Sequence, residues 1–225
     1  MQRCGTDLLG SHPGGQTPRV LIRPHDAGRD EQEWRAFVVS QGFGHLVAAG
    51  VGRDVPVVVP TQLLLDGGHV WLHLAVSNPL LAALAENPRA VMSVAGDWAY
   101  IPGAWKAVGD EDPRLGIPTT YYAAVQLTGT VAVLEDPHEV AAVLRRQLAA
   151  LEPGADLVDP NDHGSKLRAI CGLRLDIEEV RAKLKYGGNV DDAHRDAIAQ
   201  RLAVRGGPGD GAALRHLRLG DPGAA

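Results

Sequence analysis

Thr120-Tyr121-Tyr122-Ala123-Ala124-Val125-Gln126-Leu127-Thr128-Gly129-Thr130-Val131-Ala132-Val133-Leu134 is the stretch on which the fold turns. Rich in Tyr, Val and Thr, it reads as one long β-strand. Upstream lie three further β-rich runs: Gly44 to Ala49, Val55 to Leu65 and His69 to Ala75. Val51 to Asp54 and Asp66-Gly67-Gly68 divide them as expected hairpin turns, the second because Asp-Gly tolerates positive φ. Pro56 and Pro60 remove two ladder donors, which predicts that the middle run is an edge or bulged strand. Ala90 to Ala95 and Trp98 to Ile101 are also strand-like, and Leu173 to Leu184 supplies a last strand. These β segments show no regular βαβ alternation. They predict an α+β or mainly β fold, a small barrel or an α+β sheet with flanking helices.

The helices announce themselves by their ends. Asp30 and Glu33 have capping-box spacing, Trp34, Phe37 and Val38 form one stripe, and Gly42 is the stop. Asn78-Pro79 opens a second helix with Leu80, Leu81 and Leu84 on one face. Asp136-Pro137-His138-Glu139 opens a third, whose stripe is Val140, Val143, Leu144, Leu148 and Leu151. A last helix is expected from Asp191 to Arg205, ended by Gly206-Gly207. Pro102 to Pro118 lacks an apolar period and reads as a long surface loop, a kind of segment that often carries function. The expected organisation is a loose tail over 1–19, one domain over 20–205 and a flexible tail over 206–225.

The chain has 225 residues, 45% hydrophobic and 22% charged, the mix of a globular protein. No apolar run approaches the roughly 20 residues of a membrane-spanning helix, so no membrane partner is expected. The net charge of −5 opposes bulk attraction to nucleic acid, and no helix-turn-helix signature is present. Cys4 and Cys171 make neither a disulfide framework nor a metal cluster. With no secretory signal at the N-terminus, a cytoplasmic location is expected.

Phosphate-loop, dinucleotide-binding, zinc-protease and nucleophile-elbow motifs are all missing, and no residue presents itself as catalytic. His69, Trp71 and His73 share one strand face, but the two histidines are roughly 13 Å apart, too far to share a metal. His73 is open to two readings, a histidine satisfied by backbone or a cofactor contact. Trp98, Tyr100, Trp105, Tyr121 and Tyr122 concentrate half of the aromatic residues into one region. Such side chains stack on planar ligands, or else form a core or a dimer interface. Thr119 and Thr120 add hydroxyls at the mouth of the long strand. Lys183 and Lys185 share a strand face, suited to a phosphate clamp or to edge protection. Asp97, Asp110, Glu111 and Asp112 show no paired spacing and read as solvated.

In order and spacing these segments resemble the PaiB-like family of FMN-binding proteins, often labelled negative transcriptional regulators, within the flavin split-barrel superfamily. The resemblance rests on Val59-Pro60-Thr61, His73-Leu74-Ala75-Val76-Ser77-Asn78-Pro79, Ala99-Tyr100-Ile101 through Trp105, Ile117 to Val125, and Lys183-Leu184. Gln62, Val76, Thr120-Tyr121 and Lys185-Tyr186-Gly187 depart from the family's usual residues. The resemblance implies a split β-barrel of the pyridoxamine-phosphate-oxidase type, working as a homodimer with FMN between subunits. Thr61, Thr119, Lys183 and Lys185 would hold the phosphate. His73, Asn78, Tyr100, Trp105, Thr120 and Tyr122 would line the ring or shape the pocket. Activity as an oxidoreductase stays open. The alternatives are haem with His73 or His45 as axial ligand, and a regulator acting on DNA or a partner, which the family label alone implies.

Overall fold

A computed structural model of the chain describes residues 20–107 and 109–219. The tail expected over 1–19 lies outside the described residues. The elements run α1 (Glu31–Gln41), β1 (Phe43–Ala48), β2 (Val57–Gln62), β3 (Leu64–Asp66), β4 (His69–Ala75) and α2 (Pro79–Glu86). They continue with β5 (Arg89–Ile101), β6 (Thr119–Leu134), α3 (Pro137–Leu151), β7 (Ile170–Lys185), α4 (Asp192–Arg205) and α5 (Asp210–Leu219).

The caps form as the residue types predict. Asp30 accepts from the Glu33 amide, Asn78 from Leu80, and Asp136 from His138 and Glu139. Each carboxylate or amide oxygen satisfies a donor that the first helical turn leaves unpaired. Gly42 ends α1 at φ 58°, a left-handed conformation that glycine adopts without steric cost.

All seven strands form one antiparallel sheet in the order β2-β1-β5-β6-β7-β4-β3. Its two outermost strands, β2 and β3, are consecutive in the chain and separated only by Leu63. A sheet whose opposite edges are one residue apart must curl until they meet, so the sheet is a barrel. The Val55–Leu65 run, expected as a single strand, is therefore the corner at which the chain leaves one edge for the other. Leu63 is buried there, and its amide donates to the Gly42 carbonyl at 3.0 Å.

β6 alternates strictly. Tyr121, Ala123, Val125, Leu127 and Val131 are buried inside the barrel, while the intervening side chains face outward and are half-exposed. The interior is completed by Leu46, Leu72, Met92, Leu173 and Leu175. β6 and β7, with 16 residues each, are the longest strands, and β5 between β1 and β6 carries a bulge between Gly96 and Ala99. That bulge is why the sequence pattern shows two short strands where one long strand exists. β4 pairs with only the first half of β7. Along the second half the N-terminal segment lies alongside, bridging Ala27 to Lys183.

A further difference lies toward the C-terminal end. The stretch from Pro208, read as frayed, contains α5, which buries Asp210, Ala213 and Leu217. Gly206, Gly207, Pro208 and Gly209 make a turn, after which an apolar i, i+4 pair docks the helix. Among the described residues no helix is long and apolar enough to cross a membrane.

Candidate functional site

The outward face of β5, β6 and β7 gathers most of the residues singled out above. Across the ladder Tyr100 stands opposite Thr120, and Tyr122 opposite Lys185. Because side chains at i and i+2 share a face, Thr120, Tyr122, Lys183 and Lys185 all point outward. The Lys185 ammonium donates to the Thr119 hydroxyl at 2.6 Å, and Lys183 donates to the Leu21 carbonyl at 3.0 Å. Both ammonium groups flank the Tyr122 ring, at 5.7 and 5.9 Å from its centroid. Trp98 and Tyr100 are more than half exposed on the same surface.

Trp105 joins from the loop, where it ends a short 3₁₀ turn over Gly103–Trp105. Arg205 of α4 stacks on its ring at 4.8 Å. The same guanidinium donates to the Tyr100 carbonyl at 2.8 Å and pairs with the buried Asp210 carboxylate. Through this one side chain α4, α5, β5 and the loop are held together.

Sequence reading missed Lys106. Burial, and then repulsion from Lys185, push its ammonium below the ordinary lysine range. His194 of α4 is likewise pushed down, by burial first and by Lys106 next. A signal was available, since the chain has only four lysines and three of them, Lys106, Lys183 and Lys185, converge here. Among the described residues none of the three pairs with a carboxylate. A like-charge cluster whose described hydrogen bonds go only to a hydroxyl and a carbonyl is suited to receive an anion.

Three predicted residues lie elsewhere in this chain. Thr61 points into the barrel, is buried, and donates its hydroxyl to the neighbouring Gln62 carbonyl at 3.1 Å. His73 faces α3, where Nδ1 meets Gln147 Oε1 at 2.7 Å. Asn78 caps α2. His73 stands opposite Gly172, whereas Lys185 lies near the other end of the same strand, as much as roughly 43 Å away at the rise of an extended chain. His45 is exposed on β1. Asp97, expected as a solvated acid, is instead largely buried and bonded to Gln41 and His216.

The chain folds as an antiparallel split barrel with an aromatic and cationic outer face. Residues 21–179 match the family described as "Putative FMN-binding domain", and the chain belongs to that family. Among curated relatives it is 24% identical to protease synthase and sporulation protein PAI 2 of Bacillus subtilis over 180 residues, covering 76% of this chain and 83% of that protein. The flavocytochrome Anf3 of Azotobacter vinelandii superposes with a TM-score of 0.59 at 22% identity, covering 82% of both chains. A FAD- and haem-binding protein of Mycobacterium smegmatis gives 0.59 at 20% identity, over 76% of this chain and 79% of that one. At these identities the solved structures establish the fold.

Proposed function

We propose that the protein binds FMN on the outer face of β5, β6 and β7, with the phosphate against Lys183, Lys185 and the Thr119 hydroxyl. The observation that carries this is the lysine cluster around Tyr122, whose charges have no carboxylate partner among the described residues. Phosphate supplies the missing charge, and the half-exposed Tyr100 and Tyr122 rings, with Trp105 behind them, offer the flat apolar surface that an isoalloxazine needs. Bound flavin would bring electron-transfer chemistry, while these side chains bind, orient and neutralise.

We further infer a homodimer. His73 and Asn78 do not reach the lysine face of their own chain, and an exposed surface carrying Trp98 and Tyr100 is suited to burial. A second copy laid on that face would bring its own β4–α2 corner toward the flavin.

An absorbance spectrum of the purified protein from roughly 300 to 600 nm tests the cofactor, with FMN titration of any colourless preparation. A flavin spectrum, or saturable FMN uptake lost in Lys185→Ala, supports the reading. A colourless protein indifferent to FMN overturns it. A Soret band after haem reconstitution, abolished in His45→Ala, would transfer the assignment to haem. Sedimentation at two concentrations tests the dimer, and a gel shift at low salt tests the DNA role implied by the regulator label.

A further inference from the structure

Asp97 and His216 form a pair for which the flavin face has no use. Asp97 sits in the β5 bulge and is, among the described residues, the one non-glycine with positive φ, at 49°. Its carboxylate accepts from Gln41 Nε2 at 3.1 Å and meets His216 Nε2 at 2.8 Å, while Tyr186 donates its hydroxyl to the Asp97 carbonyl at 2.8 Å. The imidazole stacks on Tyr186, with centroids 4.4 Å apart and planes 9° apart, and meets Phe37 edge-on. Its second nitrogen, Nδ1, is buried without a partner. Left-handed backbone and an unpaired buried polar atom both cost free energy, and such costs collect at binding sites.

Two cavities, of about 560 and about 200 Å³, flank this pair and share Arg29, Glu33 and His216 in their walls. The larger has the size of a small-molecule site. Its charges are nearly all engaged. Glu33 is taken by Arg29, Asp97 by Gln41 and His216, and Asp30 caps α1. Arg215 alone among its cations has neither an ion pair nor a hydrogen bond to any described residue. Phe37, Ala36 and Leu219 make the apolar part of the wall. We propose that this cavity, between α1, α5 and the β5 bulge, is a second small-molecule site that takes an organic acid, its carboxylate on Arg215 and its apolar body against Phe37, beside the His216–Asp97 pair. The site is separate from the flavin face, because none of Tyr100, Trp105, Thr119, Tyr122, Lys183 and Lys185 lines it.

Benzoate serves as the probe and benzyl alcohol as its uncharged counterpart, both titrated calorimetrically into the full chain as purified. Benzoate should bind saturably at one per chain, at least tenfold more tightly than benzyl alcohol, and should shift the His216 side-chain NMR signals. Arg215→Ala should weaken benzoate at least tenfold, and Arg215→Lys, which keeps the charge but not the fork, should recover only part of that loss. Lys185→Ala should lower FMN affinity and leave benzoate unchanged, which separates this site from the flavin reading. Absence of saturable binding at millimolar benzoate, equal binding to Arg215→Ala, or loss of benzoate in Lys185→Ala would overturn the proposal.

Discussion

The hydrogen bond from Lys185 to Thr119 joins the last residue of β7 to the first residue of β6. It fixes the lysine ammonium beside the Tyr122 ring without neutralising its charge. A charge held by a neutral partner is pre-positioned for an anion, and truncating either partner should be read out in flavin affinity. Lys185→Ala should weaken FMN binding about 10- to 100-fold, the range for a charge-assisted hydrogen bond. Thr119→Val should cost roughly fivefold, since the charge stays and only its orientation is lost. Fluorescence titration with FMN measures both, and equal losses would contradict the division of roles.

Lys106 should show opposite effects on stability and binding. Burial and Lys185 disfavour its charged form, and under the proposed reading a bound phosphate would offset that repulsion. Lys106→Met should raise the melting temperature of the flavin-free protein and weaken FMN binding. Inorganic phosphate should raise the melting temperature of the wild type more than sodium chloride of equal ionic strength does. Thermal unfolding with and without FMN is the check.

Stability should fall at both ends of the pH scale for identifiable reasons. His194 is held below its ordinary value, so the unfolded chain takes up a proton first, at about pH 6.5. Its contribution is therefore complete above that pH and is lost as pH falls, and His194→Gln should flatten the acid limb. Burial pushes Tyr121 up to about 12 and Tyr186 also upward. Unfolded tyrosines ionise from about pH 10, so stability should hold below that pH and decline above it. A spectrophotometric titration should find two of the four tyrosines ionising only as the protein unfolds.

Arg205→Ala should destabilise the protein by about 3 kcal/mol, because Asp210, 1% exposed, keeps its charge and loses its cation, retaining only the Gly207 amide. Arg205→Lys should rescue little of this, lacking the fork that spans both carboxylate oxygens. Denaturant unfolding measures the loss. Trp105 emission should shift as the guanidinium leaves its ring, a signature that general destabilisation would not produce before the unfolding transition.

Gly129→Ala should be among the most damaging single changes in the barrel. A Cβ there would stand 1.8 Å from the Asp176 carbonyl oxygen, where β6 and β7 shift register. Backbone cannot yield as a flexible side chain can, and a loss of about 3 kcal/mol or more is expected. Urea unfolding decides it.

Much of the fold was legible because its signals are local. Asp30, Asn78 and Asp136 cap the helices they were expected to cap, and the alternation of β6 marks its inner face. What escaped depends on distance in the chain. Lys106 meets Lys185 only after the loop folds back. His216 meets Asp97 across a separation of 119 residues, from a helix hidden behind a glycine-rich stretch that reads as a terminus. Lys183 and Lys185 were visible as a pair because strand alternation alone puts them on one face. Thr61, chosen by resemblance, was betrayed by the same alternation, which turns it inward on a corner strand.

The Leu63 corner also sets where this molecule can tolerate being cut. No strand pairing joins β2 to β3 in the sheet order, so the ring is completed by covalent continuity at a single buried residue. A proteolytic nick there would leave every ladder intact and leave closure of the barrel to its packed interior alone, whereas a nick in the Val51–Asp54 hairpin would leave the seam fastened. Insertions should be confined accordingly, welcome in the exposed hairpin and ruinous at the seam.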